Sequence, residues 1–320
     1  MIEQAPFHQL PGDPLSPGSA FWVKAEDDIR LRLALWRCEG IDPVGGVLLF
    51  PGRTEYIEKY APFARKLTDA GYEVLAIDWR GQGLSDRLLD DPRPGHIREF
   101  KDYQRDVIEM VVAASQVDLP KPWHLLAHSM GGCIGLAALF DELPVSSAVF
   151  SAPMWGIEPH GIPRPVALAV TSLAKRLGLG ERPTPGTGAK GTYFLDEAFG
   201  SNLLTGDLGE WTRLLHEAAA WPDLTIGGAS FQWLGEALRE CARLSALPSP
   251  DLPVTVSVGD KEKIVSSQAI RDRAGRWDDS RLLEFEDCRH EVVMEVPDLR
   301  NRFLEATLQQ FDVARQRIVA

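Results

Sequence analysis

Cysteine is scarce in this chain: four in 320 residues, Cys38, Cys133, Cys241 and Cys288, with no CxxC among them. That argues against a disulfide framework or a zinc site and fits free thiols in a reducing compartment. Positive charge is also short. Thirty-four Lys and Arg stand against 46 Asp and Glu, a net charge of −12. A nucleic-acid surface needs clustered cations, so none is expected. Long apolar runs are missing as well. None approaches the ~18 residues of a membrane span. The opening MIEQAPFHQLPGDPLSPGSA has neither the basic start nor the apolar centre of a secretory signal. There is no internal repeat. A soluble, cytoplasmic protein is expected, with at most transient contact to a membrane surface; its oligomeric state is unspecified.

The residues that are present alternate between two periods. Residues 1–19, rich in Pro and Gly, read as an irregular arm. Phe21–Ala25 and Ile29–Cys38 read as a hairpin. In its second strand Ile29, Leu31, Leu33 and Leu35 face one way and Arg30 and Arg32 the other, the pattern of one wet face. Then come continuous apolar runs, as in strands buried on both sides: Val44–Phe50, Tyr72–Ile77, Trp123–His128 and Ser147–Ser151. Helical spacing lies between them at Tyr56–Ala70, which ends at Gly71, and at Phe100–Ala114. This alternation predicts an α/β fold with a mostly parallel central sheet and helices on both faces. From about Met154 to Leu247 the rhythm breaks into helical segments, with no strong strand. It resumes with Val254–Val258, Ser266–Arg276, Leu282–Phe285 and Leu299–Ala314. An all-helical insertion between two strands is the simplest account.

The chemistry centres on WHLLAHSMGGCIGLAA, residues 123–138. A strand runs into a helix rich in small residues, and Ser129 sits at the junction. In a nucleophile elbow this sharp turn holds the hydroxyl at its tip and needs small residues two positions either side, here Ala127 and Gly131. A serine nucleophile needs a base, an acid to orient that base, and an oxyanion hole, in the order Ser, acid, His. His290, in DCRHEVVMEVP, is the histidine that follows the last predicted strand. The loop GDKEKIVS after Val254–Val258 offers two acids, Asp260 and Glu262. Asp is the commoner triad acid, so both stay open at this point. For the oxyanion hole, the loop FPGRTEY supplies the Arg53 N–H beside that of Met130, since Pro51 has none. The glycine-rich stretch DWRGQGLSD at 78–86 lacks the GxGxxG spacing and a Walker lysine. It reads as a structural turn linking Asp78 and Arg80 to neighbouring loops. Nothing here calls for a cofactor or a metal.

These residues resemble the α/β-hydrolases of the monoacylglycerol lipase and lysophospholipase L2 group, over most of the chain. FPGRTEYIEKY is similar to that family's HGxxEHxxRY loop, DWRGQGLSDR to its DxRGHGxSxG turn, and AHSMGG to its GHSMGG elbow. FSAPM resembles its LSAPM strand end, FQWLGEA a helix motif of its cap, and RHEVVMEVPDLR the RHEILFE histidine loop of lysophospholipases L2. Three positions depart: Ala127 for Gly, Pro51 for His, and Glu for the usual Asp. In the family's GxxDxxV loop the acid stands three residues after Gly. Counting from Gly259, the resemblance selects Glu262. It implies a hydrolase core at 1–154 and 248–320 with a helical cap at 155–247, whose helix near 165–179, flanked by Arg164, Lys175 and Arg176, offers a lipid-facing stripe. It implies a Ser129–His290–Glu262 triad cleaving carboxylic esters of monoacyl lipids through an acyl-enzyme. An aminopeptidase of the proline iminopeptidase type shares the triad and needs a cap carboxylate for the substrate amine, such as Glu217 or Glu236. A non-catalytic binding protein on the same fold is the remaining alternative.

Overall fold

The computed structural model describes residues 3–13, 18–157, 162–185, 192, 195 and 197–319. Residues 1–2 and 14–17 of the N-terminal arm, and residues 186–191 of the insertion, lie outside the described residues.

Among the described residues nine strands form one sheet: β1 (Glu3–Gln4), β2 (Ser19–Lys24), β3 (Arg30–Trp36), β4 (Gly45–Phe50), β5 (Tyr72–Asp78), β6 (Trp123–His128), β7 (Ala148–Ser151), β8 (Val254–Gly259) and β9 (Ser280–Phe285). The order is β1-β2-β3-β5-β4-β6-β7-β8-β9. β1 to β3 pair antiparallel with one another, β3 pairs antiparallel with β5, and every later pairing is parallel. The arm is therefore not wholly irregular, because β1 extends the sheet edge. The helices are α1 (Ala61–Asp69), α2 (Asp102–Gln116), α3 (Met130–Phe140), α4 (Arg164–Arg176), α5 (Leu208–Ala220), α6 (Phe231–Ala246), α7 (Ser267–Gly275) and α8 (Pro297–Val319). No helix among the described residues is long and apolar enough to cross a membrane.

Side chains along the inner strands alternate between two apolar layers. Leu48, Phe50, Leu75, Ile77 and Leu125 pack towards α2, α3, α6 and α7. Val47, Leu49, Val74, Ala76 and Leu126 pack towards α1, α5 and α8. A strand covered on both faces has no wet side, and this corrects the reading of β3. Arg32 is wholly buried there. Its guanidinium donates to Asp78 and Glu58, each at 2.7 Å. A buried cation is tolerated because two carboxylates satisfy it. The segment expected as one helix from Tyr56 divides into a 3-10 turn, Ile57–Tyr60, and then α1. Asp78 holds the start of that turn by accepting the Ile57 N–H at 2.9 Å. The same aspartate accepts the Leu84 N–H, and Arg80 pairs with Asp106 and Asp27, so the 78–86 stretch is a charged structural turn.

Between β7 and β8 the described residues contribute no strand to the sheet. α5 and α6 lodge in the two apolar layers through Trp211, Leu214, Ala218 and Trp233, Ala237, Cys241. α4 differs. Its small residues Ala167, Thr171 and Ala174 are buried, and Val166, Val170, Leu173 and Leu177 are exposed. Thr171 lies where a Cβ on Gly235 of α6 would fall, so the two helices approach closely.

Candidate active site

β6 ends at His128 and α3 begins at Met130, leaving Ser129 in the turn with φ 49° and ψ −117°. A positive φ on a residue bearing a Cβ is strained and persists only where the surroundings enforce it. They do so here. The Ser129 N–H donates to the Ser151 carbonyl of β7, and the Ser129 carbonyl accepts from Met154. A Cβ on Gly131 would collide with the Phe50 and Pro51 carbonyl oxygens. Gly131 thus lets the elbow approach the loop after β4, and the two walls of the site meet.

His290 arrives from the loop after β9, 161 residues away in sequence, and places Nε2 2.9 Å from the Ser129 Oγ. Its Nδ1 lies 2.6 Å from the Glu262 Oε2. The other oxygen of Glu262 accepts the Ile264 and Val265 N–H groups at 2.6 and 3.1 Å, which fixes the carboxylate. Asp260 points elsewhere: it is exposed, with the Lys261 ammonium 3.9 Å away. Burial opposes the His290 imidazolium, but the Glu262 charge and hydrogen bond outweigh it, with Glu291 and Glu55 adding, so His290 sits above its ordinary value. Burial raises Glu262 in turn, yet His290 and the two backbone donors bring it down to about 2. A serine hydroxyl facing a neutral imidazole that is backed by a carboxylate can lose its proton as it attacks.

The loop after β4 is held without the histidine that Pro51 replaces. The Pro51 carbonyl accepts the Trp79 indole N–H at 2.9 Å. The Gly52 N–H donates to Glu55, and the Thr54 N–H to Gln82 at 2.6 Å. Between them lies Arg53, whose side chain reaches the insertion: Nη2 donates to the Gly227 carbonyl at 2.7 Å, and the guanidinium stands 5.0 Å from the Trp233 ring centre. The Met130 N–H is at the first position of α3, where backbone donors lack intrahelical acceptors.

A group of residues beside this site was absent from the sequence reading. Lys59 bridges Glu55 and Glu291, and His128 lies against both carboxylates. Their adjacency was the available signal, since His128 precedes Ser129 and Glu291 follows His290. Donor atoms of Glu55, His128 and Glu291 lie within 4.8 Å of one another. The Lys59 ammonium already supplies the positive charge a metal ion would bring, so these residues do not fit a metal centre. Glu217 and Glu236 are both engaged. Glu217 accepts from the Tyr56 hydroxyl at 2.9 Å and from Arg213 at 2.8 Å, and Glu236 accepts from Arg239 at 2.7 Å.

Known proteins share this plan. The family model described as "Serine aminopeptidase, S33" matches residues 41–297. Lysophospholipase L2 of Escherichia coli is 30% identical over 318 residues, covering 93% of this chain and 91% of that protein. A monoacylglycerol lipase of Mycolicibacterium smegmatis is 30% identical over 154 residues, 48% of this chain and 52% of that protein. Among solved structures, a soluble variant of monoglyceride lipase from Saccharomyces cerevisiae, in complex with a substrate analog, superposes with a TM-score of 0.72 at 18% identity, covering 97% of this chain and 99% of that one. The chain belongs to the S33 serine hydrolases of the α/β-hydrolase fold, in the group of ester hydrolases that contains lysophospholipase L2.

Proposed function

We propose that this protein hydrolyses carboxylic esters of monoacyl lipids, monoacylglycerols or lysophospholipids, through a Ser129–His290–Glu262 triad and an acyl-enzyme. The observation that carries the reading is the unbroken chain of contacts from the Ser129 Oγ through both His290 nitrogens to Glu262. Ser129 attacks the ester carbonyl carbon while His290 Nε2 takes its proton. Glu262 stabilises the imidazolium formed, and the Arg53 and Met130 N–H groups receive the oxyanion. Collapse expels the alcohol, which takes the proton from His290, and water then releases the fatty acid by the same steps. His290 must be neutral to act, so hydrolysis rises with pH through a midpoint above the ordinary histidine value.

The substrate class follows from the lipid-cleaving relatives and from the exposed apolar face of α4. Its basic neighbours Arg164, Lys175 and Arg176 suit transient contact with an anionic lipid surface. Residues 155–247 serve as a cap, joined to the oxyanion loop by Arg53. The four free cysteines fit the cytoplasm. The aminopeptidase alternative is disfavoured by the pairing of Glu217 and Glu236, which leaves neither carboxylate waiting for a substrate amine. Hydrolysis profiled over monoacylglycerols, lysophospholipids, p-nitrophenyl esters and prolyl amides tests the assignment. A preference for prolyl amides overturns it.

A further inference from the structure

Behind the Ser129–His290 pair lie four ionisable side chains that the proposed mechanism does not use. Glu55, Lys59, His128 and Glu291 are each no more than 8% exposed. They touch both halves of the site. Glu55 accepts the Gly52 N–H of the oxyanion loop and, at 2.5 Å, the Tyr60 hydroxyl. Lys59 Nζ donates to Glu55 and, at 2.6 Å, to Glu291 Oε1. The His128 and His290 rings are 4.7 Å apart.

The hydrogen bonds around His128 locate a proton. Its Nδ1 lies 3.0 Å from the Ser151 carbonyl oxygen, which can only accept, so Nδ1 carries the hydrogen. In the neutral ring Nε2 is then a bare lone pair. It faces Glu291 Oε2 at 3.5 Å and Glu55 Oε1 at 3.7 Å. Neither His128 Nε2 nor Glu291 Oε2 has a hydrogen-bond partner. With both carboxylates ionised, lone pairs converge in a buried space and one ammonium faces two negative charges. A single added proton removes the conflict, and its place is Glu291, because both Glu55 oxygens already accept hydrogen bonds from Gly52, Tyr60 and Lys59 while Glu291 Oε2 accepts none. Burial pushes that carboxyl up to about 7, with the Glu55 charge adding and Lys59 opposing. Burial drives His128 the other way, down to about 3. Burial also raises Glu55, but the Lys59 ammonium, with side-chain hydrogen bonds from Glu291 and Lys59, brings it below its ordinary value.

We propose that Glu291 is a positioning residue: its protonated carboxyl holds the Lys59–Glu55–Gly52 chain and His290 in register, and its ionisation sets the alkaline limit of catalysis. The inference rests on the roles given above to Ser129 and His290. Deprotonation sets a second full charge beside Glu55 with only Lys59 between them. That weakens the grip of Glu55 on the Gly52 N–H and leaves the cluster net negative behind the developing oxyanion. Glu55, Lys59 and Tyr60 face Glu291 from the oxyanion loop and its 3-10 turn, His128 from β6, and His290 from its own loop with Glu262 beyond. Arg289 and Glu295 of the same loop are turned to Thr205 and to the Gly206 and Arg289 N–H groups.

The test is the pH profile of kcat/KM on a soluble p-nitrophenyl ester for the wild type, E291Q and S129A. Glutamine keeps the size, stays neutral and offers an N–H to His128 Nε2. The expected result is E291Q activity within about threefold of wild type on the acid side, with the alkaline limb moved up by about one pH unit or more. An alkaline limb unchanged in E291Q overturns the proposal. So does a folded E291Q that is inactive at every pH, which would mean the ionised form is required. Should E291Q not fold, infrared difference spectra of the wild type decide. Loss of one protonated-carboxyl stretch in step with the alkaline limb is expected, and no such loss overturns the proposal. S129A that still hydrolyses ester defeats the underlying triad reading; inactive S129A with an unshifted E291Q profile defeats the role of Glu291 alone.

Discussion

From Glu55 to Tyr60 every ionisable side chain is buried and bonded to a partner, whereas α4 turns Val166, Val170 and Leu173 outward and Ala167, Thr171 and Ala174 in. In the first region Glu55 meets Lys59, Tyr56 meets Glu217, Glu58 meets Arg32, Lys59 meets Glu291 and Tyr60 meets Glu55. Buried charge is costly unless paired, and paired charge resists displacement, because moving one partner strands the other. Such pairing fixes the loop beside Ser129, whose Gly52 N–H donates to Glu55. α4 shows the reverse. Val166, Val170, Leu173 and Leu177 are 48–63% exposed and forgo burial free energy of about 1.5–3 kcal/mol for each side chain fully covered. The protein's own fold gains nothing from that exposure, and a surface that covers the helix would. The comparison separates a region whose charges are paired in the interior from one whose apolar side chains stay exposed.

Breaking the fixed region at its reactive end has the largest expected effect. Ser129→Ala lowers kcat by roughly 10³–10⁶-fold, with the melting temperature nearly unchanged, because one hydroxyl is lost from a well-packed turn. Steady-state kinetics and a thermal melt check both parts. Next is the acid. Glu262→Gln keeps the shape and removes the charge, lowering kcat by roughly 10²–10⁴-fold. Because Glu262 is what raises His290, the acid limb of the pH profile moves to lower pH in that variant. Asp260→Asn, exposed beside Lys261, leaves both kcat and the profile close to wild type. The reverse pattern would transfer the role to Asp260.

A third change probes the support rather than the chemistry. Arg32→Met leaves Glu58 and Asp78 buried without the guanidinium that each contacts at 2.7 Å. It should destabilise the fold by about 3–5 kcal/mol in urea titrations at neutral pH. A loss below about 1 kcal/mol would mean that the buried pairs are not what fixes this region. The smallest effect is expected on α4. Val170→Ser with Leu173→Ser should lower turnover of vesicle-borne monoacylglycerol by about threefold to thirtyfold and leave p-nitrophenyl acetate hydrolysis unchanged. Equal loss on both substrates would assign the stripe to folding instead.

What the sequence by itself determined is whatever depends on near neighbours. Apolar runs of strand length between helical spacings specified a parallel sheet, since a strand between two helical layers must be apolar on both faces. The small residues around Ser129 specified the elbow, because a turn that close to another backbone admits no larger side chain there. What the tertiary structure decided depends on partners distant in the chain. Alternation in β3 could not say whether Arg32 meets water or Glu58, 26 residues on. Spacing alone could not separate Asp260 from Glu262, two residues apart in a turn, until His290 arrived from 28 residues beyond Glu262. The buried cluster of Glu55, Lys59, His128 and Glu291 is further still from any local pattern. It exists because strands and loops from separate parts of the chain exclude water around four ionisable side chains, and only the closed fold creates that low-dielectric space.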